Sequence, residues 1–144
     1  MSGPLKGFRV IDLTSMVSGP LATMMLADQG ADVIKVEAPV GGDSARHVAT
    51  RRAAFAASFL NNNRNKRSIV LNLKSPEGVA ALKRLVADAD VFIQNFRPGV
   101  MKRLGLDDAV LRALNPRLVY VSIAGFGFEG PYADKPVFDP LIQS

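Results

Sequence analysis

Cysteine is absent from this chain of 144 residues. A disulfide framework and a thiolate metal site are both excluded. Histidine occurs once, as His47, which argues against a His-rich metal centre, so no metal site is expected. Tryptophan is also missing, and there are only two tyrosines. A nucleic-acid surface interleaves basic residues with stacking aromatics, so nucleic acid is not an expected partner. No run approaches the ~20 apolar residues of a membrane helix. The opening Met1-Ser-Gly-Pro-Leu-Lys-Gly7 has no apolar signal core. The expectation is a soluble, cytoplasmic protein with no membrane partner.

What is present suits one globular domain. Hydrophobic residues make up 48% of the chain, enough for a single core. The net charge of +5 favours anionic partners without choosing among them.

Short apolar runs alternate with amphipathic segments, the pattern of βαβ units. Phe8-Arg-Val-Ile-Asp-Leu13 reads as a buried strand. Ser18 is a candidate helix cap and Pro20 suits a first helical turn. Leu21, Met24, Met25 and Asp28 then space as a helix with one apolar face, stopped by Gly30. Residues 32–36 form a second strand. A polar, glycine-rich stretch follows, and a short helix is predicted over 55–60. Residues 68–73, 90–94 and 118–123 read as further strands. Ser75-Pro76-Glu77 opens a helix with Val79, Leu82, Leu85 and Val86 as its buried stripe. Another helix covers 107–114, stopping before Pro116. The fold class is therefore α/β: a Rossmann-like, doubly wound, largely parallel sheet of about five strands with flanking helices. Ligands of such sheets bind beyond the carboxyl ends of the strands, so the loops at 14–20, 37–47, 95–103 and 124–139 are the ones to inspect.

Taken alone, these loops hold only modest signals. The turn Thr14 to Pro20 has one glycine, so the dinucleotide fingerprint is absent and a nicotinamide site is disfavoured. Glu37 stands where a ribose-binding acid would sit, but a solvated strand-end carboxylate is the simpler reading. Arg64, Lys66 and Arg67 either meet phosphate or decorate a polar surface loop, and the residues alone do not decide. Asn95 and Phe96 end a buried strand, where an amide and a ring can hold an adenine, or where the ring merely anchors a turn. His47, in a polar loop, reads as a surface residue. Asp12, Glu37 and Asp139 are the acids best placed for chemistry, yet no pair has diagnostic spacing.

The phrases carry more than their spacing. Gly7 to Leu13 with Ser18-Gly19-Pro20, and Leu26 to Glu37, resemble the start of the class III CoA-transferases. This is the family of carnitine CoA-transferase, formyl-CoA transferase and α-methylacyl-CoA racemase. Gly41-Gly42-Asp43, residues 63–68, 73–78 and 90–99, and Gly125 to Tyr132 continue the match in order.

The resemblance implies an enzyme that moves CoA between carboxylic acids through an aspartyl-CoA intermediate. Its substrates would be acyl-CoA and a carboxylic acid, with no prosthetic group, and it would be a homodimer of interlocked chains. Residues 1–144 would be its CoA-binding domain. The implied CoA contacts are Met16, Val17 and Ser18, then Leu71 and Lys74, Asn95 and Phe96 at the adenine, Arg103 at a phosphate, and Lys135. Ala38-Pro39 stands where the family often has a basic residue. The nucleophilic aspartate of the family lies downstream of the Gly-Phe-Gly tail. No catalytic residue is therefore expected in this chain, which would be inactive alone. Racemases of the family carry a histidine at the position of Phe138, a side chain that cannot carry a proton, so the transferase is preferred over a 2-methylacyl-CoA racemase. A non-catalytic CoA-binding module is the other alternative.

Overall fold

The computed structural model describes residues 3–48, 51–52, 55–127, 129–133 and 135–137. Along the chain come β1 (Arg9–Leu13), α1 (Ser18–Asp28), β2 (Asp32–Glu37), a 3-10 turn (Ser44–His47), β3 (Arg51–Arg52), β4 (Phe55–Ala56), α2 (Ala57–Asn63), β5 (Arg67–Val70), α3 (Pro76–Ala87), β6 (Val91–Gln94), α4 (Val100–Arg103), α5 (Asp108–Leu114) and β7 (Val119–Ser122).

Five of the strands form one sheet in the order β5-β2-β1-β6-β7. Every pairing in it is parallel. The chain builds outward from β1 through β2 to β5, then returns to β1's other side for β6 and β7. The β1/β6 boundary is thus the switch point, where such sheets open a crevice at their carboxyl ends.

Alternation along the strands gives the sheet two unlike faces. One face sends Ile11, Leu13, Ile34, Val36 and Phe92 against Leu82 and Val86 of α3 and Leu111 of α5. Leu82 and Val86 are fully buried, each stabilising the fold by roughly 1.5–3 kcal/mol. The other face starts apolar, with Val10, Val33 and Ile93 against Ala27 and Ala31. Towards the carboxyl ends it turns polar: Asp12, Lys35 and Glu37 are all buried.

Several boundaries differ from the sequence reading. Helix α1 is capped by Val17 with no side-chain hydrogen bond, and Ser18 is already helical. Its buried residues are Gly19, Pro20, Thr23, Met24 and Ala27, while Leu21 and Met25 face outward. The segment predicted as a helix from 55 begins as a two-residue antiparallel hairpin, and the helix occupies Ala57–Asn63. The third strand of the reading ends at Val70 and not at Leu73. No helix among the described residues is long and apolar enough to cross a membrane.

Candidate functional site

The turn after β1 is held almost wholly by side chains. Thr14 N–H donates to Asp12 Oδ1 at 2.9 Å, and the Thr14 carbonyl accepts from Lys35 Nζ at 2.9 Å. Asn95, from the loop after β6, clamps Ser15: Ser15 N–H donates to its Oδ1 at 3.0 Å, and its Nδ2 donates to the Ser15 carbonyl at 2.8 Å. Met16 N–H donates to Asp43 Oδ1 at 2.9 Å. Gly19 closes the turn sterically, since a Cβ there would lie 2.4 Å from Thr14 Cβ.

Beneath this turn lies a charged layer. Lys35 and Asp43 are paired at 2.8 Å, each side chain 1% exposed. The ammonium faces Asp43 Oδ2, and Oδ1 accepts from Ser15 Oγ and from the Met16 and Ala45 amides. Burial raises the Asp43 carboxyl, but Lys35 and the Met16 and Ala45 amides outweigh it and hold the group below the usual range. Glu37 is buried, contrary to the solvated reading. It accepts from Arg46 through both oxygens at 2.7 and 2.8 Å, from Ser68 Oγ and from Asp43 N–H. Burial alone would raise its carboxyl, and these donors bring it down to about 2. Lys66 Nζ reaches Asp12 Oδ2 at 2.9 Å, with the Pro20 carbonyl and Asn63 Oδ1 at 2.8 Å each. Its burial lowers the ammonium's pKa against the pull of Asp12.

The basic run therefore does not offer three cations to a phosphate. Arg64 pairs with Asp28, Lys66 with Asp12 and Arg67 with Asp32. Lys66 turns inward to a structural role, whereas Arg64 and Arg67 stay exposed at the surface, as the surface-loop reading has it. Asp12 and Glu37, flagged for chemistry, are likewise committed to ion pairs. His47 is exposed, with Nε2 2.8 Å from the Gly41 carbonyl.

A cleft of about 540 Å3 opens at the carboxyl ends of β1, β2 and β5. Its walls are largely apolar: Leu13, Val36, Pro39, Leu71, Phe96 and Leu104 contribute, with Lys74 and Glu37 as the charged lining residues. An apolar cleft with a few polar groups at a strand edge is the general form of a small-molecule site. Leu71, Lys74 and Phe96, three of the residues singled out from the sequence, share it. Arg103 is exposed at the end of α4, and a Cβ on Gly99 would lie 3.2 Å from its Nη1, so the guanidinium folds back over the loop after β6. Met16, Val17 and Ser18 are exposed on the turn that Asn95 ties to that same loop. Asn95 itself has committed both ends of its amide to Ser15. Lys135 stands apart from the cleft lining, with Nζ 3.8 Å from the centre of the Tyr132 ring. Phe138 and Asp139 lie outside the described residues. Among the described residues no cluster of His, Cys, Asp or Glu is arranged to hold a metal. Sequence reasoning missed Lys35 and Asp43, buried polar groups set within an apolar strand and a Gly-Gly-Asp phrase.

The family described as CoA-transferase family III matches residues 5–144. The chain belongs to this family. Within CoA-transferase family III it is 50% identical to a succinate–glutarate CoA-transferase of Agrobacterium fabrum, over 97% of the chain and 37% of that protein. It is 45% identical to the beta subunit of a succinyl-CoA–L-malate CoA-transferase of Chloroflexus aurantiacus, over 98% of the chain and 35% of that protein. A CAIB/BAIF family protein from Brucella suis superposes with a TM-score of 0.93 at 43% identity, over 99% of the chain and 39% of that structure. The chain thus spans little more than a third of the family members it matches.

Proposed function

We propose that this chain is the CoA-binding domain of an enzyme that moves CoA between carboxylic acids. The observation that carries the reading is the apolar cleft at the strand ends, which gathers Leu71, Lys74 and Phe96 in a chain of CoA-transferase family III. The Phe96 ring, 37% exposed, offers a face to the adenine. Lys74 and Arg103, both exposed, offer cations to the phosphates. Met16 to Ser18 line the approach from the first turn, Asn95 acts by holding that turn, and Lys135 would enter only if the tail moved towards the cleft.

In this reading CoA and its acyl thioesters are substrates and no prosthetic group takes part. The covalent step is an attack by an aspartate on the thioester carbonyl, which releases the CoA thiolate and leaves a mixed anhydride. The thiolate then attacks the aspartyl carbonyl, freeing the acid and leaving an aspartyl-CoA thioester. That aspartate is assigned to no described residue. The relatives' names contain succinate, glutarate and L-malate, so short dicarboxylic acids are the acceptor class to try first. The enzyme would work in the cytoplasm as a homodimer.

Calorimetric titration tests the binding step. CoA should bind, and Arg103→Ala should weaken CoA by about tenfold while affecting the 3′-dephospho analogue less, because one charge-assisted contact is lost. Equal losses for the two ligands would remove Arg103 from the phosphate. No CoA binding by the folded protein would end the reading.

A further inference from the structure

The turn from Thr14 to Ser18 makes few backbone contacts of its own, yet it adopts one demanding shape. Met16 has φ +74°, a left-handed conformation uncommon for any residue with a side chain. Such a conformation persists only where the surroundings over-determine it. Asn95 fixes the residue before Met16. Met16 itself is fixed by Asp43.

Asp43 arrives on the loop after β2. Its Oδ1 accepts three hydrogen bonds, each 2.9 Å: from Ser15 Oγ, from Met16 N–H and from Ala45 N–H. Behind it stands Lys35, whose Nζ also donates to the Thr14 carbonyl. The carboxylate is held in turn by its own main chain, since Asp43 N–H donates to Glu37 Oε2 at 3.0 Å. Gly42 makes this approach possible: it has φ +61°, and a Cβ there would lie 2.6 Å from Glu37 Oε2. A continuous set of contacts thus runs from Arg46 through Glu37 to Asp43 and on to Met16. It spends a fully buried ion pair on shaping one exposed turn.

We propose that Asp43, backed by Lys35, is a positioning residue for CoA: it holds Met16 to Ser18 in the single conformation that receives the coenzyme. The inference rests on the CoA-binding reading above. Asp43 touches no ligand itself. It acts by keeping the competent turn populated, because a binding site populated only in part shows an affinity reduced by that fraction.

Removing the carboxylate alone would strand a buried ammonium, so the test variant is the pair Asp43→Ala with Lys35→Met, which removes both charges. Ser15→Ala is the milder variant and leaves the ion pair intact. CoA affinity is measured by calorimetry, and amide hydrogen exchange is followed at residues 15–17 and in α3. The double variant should bind CoA about tenfold more weakly and Ser15→Ala about threefold. Exchange should quicken at residues 15–17 and stay unchanged in α3. Wild-type CoA affinity in a variant with a loosened turn overturns the inference and leaves the CoA reading standing. So does affinity lost only in step with faster exchange in α3, which marks a general loss of stability. Failure of the wild-type protein to bind CoA overturns the CoA reading itself and the inference with it.

Discussion

Glu37 and Lys66 show how much a partner decides about a charged residue. Glu37 carries a carboxyl held at about 2 against an ordinary value of 4.5. Its folded-state pKa is depressed, so its contribution to stability is fully present above pH 4.5 and is lost as pH falls through about 2. The full effect is on the order of 3 kcal/mol. Glu37→Gln should therefore flatten the acid limb of a stability-versus-pH curve between those limits, measured by urea unfolding. A curve as steep as the wild type would show that other carboxylates dominate. Lys66→Met leaves Asp12 charged and buried without its partner. Removing one partner of a buried ion pair costs about 3–5 kcal/mol, so urea unfolding at neutral pH should show a loss towards the lower end of that range, since Asp12 keeps its Thr14 and Thr23 donors. At this scale the sequence displays the charges but not the pairing. Asp12 and Lys66 are 54 positions apart, and nothing local in Asn61 to Arg67 says that one cation turns inward while two turn out.

At the scale of elements, legibility follows how strongly a segment is patterned. Helix α3 is plain in the sequence because it carries its own punctuation. Ser75 caps it by accepting from Gly78 N–H at 3.2 Å, Pro76 opens it, and Glu77 sits in the first turn. Ser75→Ala should cost about 1 kcal/mol in chemical denaturation, with the fold retained. No change would mean that water replaces the cap. Gly78 adds a second constraint, since a Cβ there would lie 2.0 Å from the Asn72 carbonyl oxygen. Helix α1 is the contrary case. It is apolar on nearly every side, so spacing finds the helix but not its buried face. The face is decided by the close fit of Gly19 against Thr14 and by the Thr23 hydroxyl, which donates to Asp12 Oδ2 at 2.7 Å. The hairpin β3–β4 escaped notice because two-residue strands have no period to read.

At the scale of the whole molecule, the parallel sheet sets where the cleft lies. A largely parallel sheet of about five strands was readable from alternation, and the cleft lies beyond the carboxyl ends of those strands, the edge that the sequence pointed to. The grouping of Leu71, Lys74 and Phe96 was not derivable from spacing. It came from the resemblance, because the three sit on loops joined only through the sheet. The same global view bears on chemistry. A nucleophilic carboxylate must be charged, unencumbered and beside the thioester. Among the described lining residues of the cleft, Glu37 is the one carboxylate. It already accepts from Arg46, Ser68 and the Asp43 amide, and its low pKa marks a tightly stabilised, weak nucleophile. Asp12, Asp28, Asp32 and Asp43 are each paired with a Lys or Arg. Among the described residues, then, the lining carboxylate of the cleft is already engaged, and binding groups that hold substrate and transition state equally do not raise turnover. If the purified protein is incubated with an acyl-CoA donor and hydroxylamine is added, mass spectrometry should find no hydroxamate on any described Asp or Glu. A hydroxamate at Glu37, formed at a rate fit for turnover, would mean that Arg46 releases the carboxylate when the thioester binds.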